Sequence, residues 1–184
     1  AFLFVEMAFI QKFILFLSHP LYSVAVVLAG FLVFAGLGSA LSGRFVRHCG
    51  GRQHVAVGLA VIGIAAIVSL YLWLLPPLFE RFIGLGEAVR VLISLALIAP
   101  LACCMGMPFP LGLTRLAREA PTFVPWAWGL NGFASVLSAA LATLLAIEIG
   151  FTAVLLLALV LYLLAAMVFT QSARIFIWGP SRHR

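Results

Sequence analysis

Hydrophobic stretches close to membrane length, parted by a few polar or proline residues, constrain this chain more than anything else in it. They cover residues 2–17, 21–41, 55–75, 88–105, 126–147 and 151–169. A helix crossing a bilayer needs about 20 apolar residues at a rise of about 1.5 Å each. Lipid offers no water to backbone polar groups, so an apolar run of this length must be helical. With 65% hydrophobic and 9% charged residues, the 184-residue chain could not cover a water-facing surface. The expectation is an all-α integral membrane protein, a single domain over 1–184 built as a bundle of about six transmembrane helices.

The breaks between runs carry their own chemistry. Ser18-His19-Pro20 ends the first run and Pro76-Pro77 the third, because proline lacks an N–H and restricts the residue before it. Pro100 should kink the fourth run. Only Glu148-Ile149-Gly150 separates the last two, which therefore read as a tight helical hairpin. The chain opens at Ala1, without methionine and already inside an apolar run, so it reads as a fragment or as a chain missing its start. It lacks the basic leading segment and small-residue cleavage pattern of a signal peptide.

Charge is scarce and one-sided. Five Glu and no Asp stand against eleven Lys and Arg, ten of them Arg. The link between the second and third runs holds Arg44, Arg47 and Arg52. The link between the fourth and fifth holds Arg115 and Arg118, and the tail holds Arg174, Arg182 and Arg184. On an alternating six-span path these segments share one side, which the positive-inside rule places in the cytoplasm with both visible ends. Trp126, Trp128 and Trp178 fit an aromatic belt on the same side. Arg44, Arg47, Arg52, Arg115 and Arg118 are expected to touch anionic lipid headgroups, and nucleic acid is not an expected partner.

Small residues mark expected close helix contacts: Gly36, Gly38, Ser39 and Ala40 in the second run, and Gly132, Ser135, Ser138, Ala139 and Ala142 in the fifth. Polar residues within spans are the candidate functional positions, namely Glu6, Gln11 and Asn131. Glu6 lies about 18 Å of helix rise from Ser18, near mid-membrane, where a carboxyl must be protonated, paired or facing water. It reads either as a cation site or as a hydrogen-bonded strut. Lys12 can snorkel outward. Asn131 reads as interhelical glue, whereas Glu148 and His19 read as interfacial turn residues.

Catalytic patterns are missing. The sequence has no dinucleotide-binding glycine motif, no phosphate loop and no H-E-x-x-H. Cys49, Cys103 and Cys104 form no C-x-x-C pair, and the His-bearing stretch 44–54 matches no zinc template. No catalytic residue, metal ligand or cofactor is expected.

One likeness rises above composition. Val5-Glu6-Met7 leads through Leu17-Ser18-His19-Pro20-Leu21-Tyr22 to Gly36-Leu37-Gly38-Ser39, followed later by Met105-Gly106-Met107-Pro108-Phe109-Pro110 and Trp128-Gly129-Leu130-Asn131-Gly132. This pattern resembles the membrane region of bacterial spermidine synthase-like integral membrane proteins, relatives of the polyamine aminopropyltransferases. The resemblance implies a multi-pass protein of the bacterial cytoplasmic (inner) membrane. It also implies a soluble Rossmann-type domain for an adenosylmethionine-like donor and a polyamine. No residue here corresponds to that domain, so none of its catalytic positions carries over.

The expected function is a non-catalytic scaffold or accessory subunit that anchors or stabilises a partner domain or larger membrane complex. The expected partners are other membrane subunits or a soluble domain, with anionic lipids around them. Two alternatives stand beside it: a small-cation or polyamine transporter-like module using Glu6, and the membrane anchor of an aminopropyltransferase-like enzyme.

Overall fold

The computed structural model describes residues 1–177 and is all-α over that range. Helix α1 covers Phe2–Leu17, α2 Pro20–His48, α3 Gln53–Phe82, α4 Glu87–Met105 and α5 Pro108–Glu119. A 3-10 turn at Pro121–Phe123 leads into α6, Val124–Ile177, whose helical path breaks at Gly150 (φ 83°, ψ 166°). Trp178, Arg182 and Arg184 lie outside the described residues, as does the side chain of Arg174.

Four segments are long and apolar enough to cross a membrane: Pro20–His48, Gln53–Phe82, Glu87–Glu119 and Pro121–Gln171. By length and composition this is a multi-pass membrane protein, and the expected six spans are corrected to four. Two physical reasons account for the difference. Helix α1 covers 16 residues, about 24 Å of rise, and is not among the four segments. The runs at 126–147 and 151–169 are two helices that meet at Gly150 with no loop between them, and both lie within the single segment Pro121–Gln171.

The connections follow local chemistry. Ser18 takes a left-handed conformation (φ 66°) to end α1, and its N–H donates to the Ile14 carbonyl at 3.0 Å. His19 is extended, as a residue before proline must be, and Pro20 opens α2 where its missing N–H costs nothing. Gly50 and Gly51, both at positive φ, turn the chain into α3. The third helix does not stop at Pro76-Pro77. It runs on to Phe82 because Leu75 and Phe79 are buried, and Phe79 stacks on Phe16 with ring centroids 4.4 Å apart. Aromatic burial outweighs the two backbone bonds the prolines forfeit. Pro100 likewise stays inside α4, and Tyr71 of α3 donates its hydroxyl to the nearby Leu97 carbonyl at 2.7 Å.

Helix α1 forms the centre. Phe9, Phe13 and Phe16 are wholly buried, with Phe13 edge-on to Phe79 at 5.1 Å and Phe9 edge-on to Phe31 at 5.5 Å. A helix buried around most of its circumference belongs in a core rather than against lipid. At its end, Arg90 of α4 donates one Nη1 to the Phe16 carbonyl and to Ser18 Oγ, both at 2.8 Å. A cation there faces the negative pole of the helix.

Helices α2 and α4 make the most extensive contact in the bundle. A β-carbon at Gly38 would lie 2.8 Å from Cys103 Cα, and one at Gly106 would lie 2.9 Å from Ala35 Cα. The two glycines thus let each backbone touch the other. Gly36 and Gly132 meet nothing within 4 Å, which corrects the expectation that they mark close contacts. A second, small cluster gathers Ala56, Val57 and Leu111 with Phe45, Cys49 and Phe169. It brings the Arg44, Arg47 and Arg52 turn to the same end of the bundle as α5 with Arg115 and Arg118.

Replacing Gly38 or Gly106 with Ala should cost about 1–3 kcal/mol, because only backbone lies in the way. Gly36→Ala should be neutral or stabilising by up to about 1 kcal/mol. Denaturation of the detergent-solubilised protein measures both, and equal losses would show that the α2–α4 contact is looser than described.

Candidate functional site

A cavity of about 720 Å³ opens beside the core. Its walls come from the start of α1, from α2 at Ser39, from the α4–α5 turn at Gly106, from α5 and from both halves of α6. The first half of α6 spans it as an arch. At one end Trp128 meets Phe109 edge-on at 5.3 Å. At the other, Ala142 and Ala146 are buried. Between them the helix stands off, and Asn131 is exposed. The chain reverses at Gly150, since Asn131 and Ser138 before it line the same cavity as Tyr162 after it. That residue's φ and ψ fall in a region open essentially to glycine alone.

The lining carries no charged side chain, and its polarity is confined to a few groups. Ser135 Oγ donates to the Asn131 carbonyl at 2.7 Å and is thereby satisfied. The Asn131 side-chain amide and the Ser138 hydroxyl have no partner among the described residues. Tyr162 is 7% exposed, and its hydroxyl is also without a hydrogen-bond partner among them. Such a group costs free energy unless something completes it. Tyr162 escaped the sequence reading because tyrosine in an apolar run passes for an interfacial residue. The usable signal was a lone phenol deep in the run 151–169.

The residues singled out from sequence are not gathered into one site. Asn131 lines the cavity, whereas Glu6 and Gln11 do not. The Asn131 side chain makes no hydrogen bond of the interhelical kind among the described residues. Glu6 is 3% exposed on α1, and its carboxyl has no hydrogen bond or ion pair among the described residues. Lys12 holds its ammonium 5.5 Å from the centroid of the Phe151 ring, a cation–π distance. Gln11 is half-buried, and Glu148 and His19 are exposed. Cys103 packs between α2 and α4, its thiol donating to the Phe34 carbonyl at 3.3 Å. Among the described residues no three His, Cys or Glu side chains converge as metal ligands would.

The ends of the bundle differ in charge. Arg44, Arg47, Arg52, Arg115 and Arg118 share one end with Glu119. There Arg115 pairs with Glu119 at 2.7 Å, donates to the Phe169 carbonyl at 2.9 Å and lies over the Phe169 ring at 5.0 Å. At the opposite end Arg81 and Arg90 stand with Glu80 and Glu87, a balanced set. Arg90 Nε is buried there without a partner.

An unpaired carboxyl in the core stabilises nothing. Glu6→Leu should therefore raise stability by about 1–3 kcal/mol, while Glu6→Gln should be nearly silent. Thermal or denaturant unfolding in detergent checks this, and a loss of stability in the Leu variant would reveal a partner for Glu6.

No family model, no curated protein and no solved structure matches this chain.

Proposed function

We propose that the chain is a non-catalytic membrane scaffold or accessory subunit that holds a partner within the bilayer. The observation that carries this is the first half of α6, which leaves the bundle on both of its long faces. One face looks into the cavity. The reverse face presents Trp126, Gly129, Leu130 and Phe133, and Gly129 and Gly132 meet nothing within 4 Å. Glycine on an open intramembrane face is poor ground for lipid and good ground for a second helix, whose backbone can approach closely. The likeness to spermidine synthase-like membrane proteins agrees with this role, since an aminopropyltransferase-like domain is one partner a scaffold of this kind would anchor. A second reading, a small-cation module, is favoured by Glu6 alone, because an intramembrane carboxyl is costly and tends to be kept for a purpose.

In this proposal the end bearing Arg44, Arg47, Arg52, Arg115 and Arg118 faces the cytoplasm and its anionic headgroups, following the positive-inside bias. A cysteine in place of Arg52, in an otherwise cysteine-free chain, should resist a membrane-impermeant maleimide in intact cells and react once they are opened. Labelling in intact cells would reverse the orientation.

The scaffold role is tested by purification from native membranes in mild detergent. A stoichiometric partner should accompany the wild-type chain and be lost from the Gly129→Leu, Gly132→Leu double variant, with thermal stability unchanged. A chain that purifies alone, and that gives a cation flux in vesicles abolished by Glu6→Gln, would replace this reading with the transport one.

A further inference from the structure

The cavity has the attributes of a binding site for a small molecule as well as those of a gap between helices. Its volume, about 720 Å³, falls within the about 300–1,000 Å³ usual for ligand pockets. Its walls are apolar at Phe2, Leu32 and Leu116, and no charged side chain lines it. A cation would enter without a carboxylate to pair with, at high desolvation cost. A wholly apolar one would leave the Tyr162 hydroxyl unmatched. That hydroxyl belongs to a side chain more than nine-tenths buried and is held on the cavity wall with no partner among the described residues. Across the cavity, the first half of α6 contributes the Asn131 amide, which can donate as well as accept.

From these observations we infer that the cavity binds one neutral, lipid-soluble molecule with an apolar body and carbonyl oxygens, which accept hydrogen bonds from Tyr162 and from Asn131. The phenol and the amide N–H are both donors, and a carbonyl oxygen is an acceptor for either. The apolar body rests against Phe2, Leu32 and Leu116. Two membrane constituents share this chemistry, the ester of a diacylglycerol and the ring carbonyl of a quinone. The site is distinct from the partner-binding face proposed above, because it uses the opposite side of the α6 arch.

The test uses the full chain reconstituted in nanodiscs and a diacylglycerol bearing a photoreactive diazirine in its acyl chain. Labelling should saturate and map to the cavity walls. Tyr162→Phe keeps the ring and removes only an unpartnered hydroxyl, so the fold is retained while affinity falls about fivefold, the worth of one neutral hydrogen bond. Ser138→Leu, which places a side chain in the cavity, should abolish saturable labelling, and Leu130→Ala on the reverse face should leave it unchanged. Competition by unlabelled dioleoylglycerol assigns the ester, competition by decylubiquinone assigns the ring carbonyl, and competition by both assigns the carbonyl itself. Labelling that does not saturate, competition by neither molecule, or a Tyr162→Phe variant equal to wild type overturns the inference.

Discussion

Contact between the backbones of α2 and α4 is what the rest of the bundle depends on. Gly38 receives Cys103 and Gly106 receives Ala35, so the two helices are fixed at two points three residues apart, just under one turn. In lipid there is little hydrophobic drive for helices to associate, and close packing must supply what water would supply elsewhere. The pair then serves as a wall. Phe31 of α2 meets Phe9 of α1, and Arg90 of α4 holds the end of α1 at Ser18. Loosening either glycine contact would move both fixtures at once.

Helix α1 shows why length alone misleads. Its 16 residues fall outside the four long apolar segments, yet it contains three wholly buried rings, Phe9, Phe13 and Phe16. Phe79 reaches it only because α3 continues past Pro76 and Pro77. The local rule that ends helices at prolines gives way here to aromatic packing about one turn further on.

The ends of several elements were legible in the residues. Run 2–17 matches α1, run 88–105 matches α4 within one residue, and the Ser18-His19-Pro20 break falls where the chain turns. These signals are local, resting on proline, glycine and the ends of apolar runs. What was not legible depends on which faces meet. Gly36 and Gly38 sit two positions apart, roughly 200° around a helix, so one can touch α4 while the other faces open space. Sequence spacing offers no means of choosing between them. Glu6 stood out because a carboxylate in an apolar run is rare. Tyr162 did not, because its importance comes from a cavity whose far wall, Asn131, is 31 positions away along the chain. The amphipathic α5 was not among the expected runs because it is short, part polar and opens with Pro108 and Pro110.

Gly150 gives the molecule leverage. The segment from Val124 to Gly150 is an arm of about 39 Å by helix rise, joined to the remainder of α6 at one residue. At that length a rotation of about 10° at the joint displaces the distant end by about 7 Å, comparable to the separation of neighbouring helices. The edge-on meeting of Trp128 with Phe109 lies near that distant end, where displacement is greatest and where a weak contact resists rotation with the longest moment arm. The aromatic pair shares that end with the covalent link to the turn at Pro121–Phe123, so the arm is held at both ends and stands off only between them.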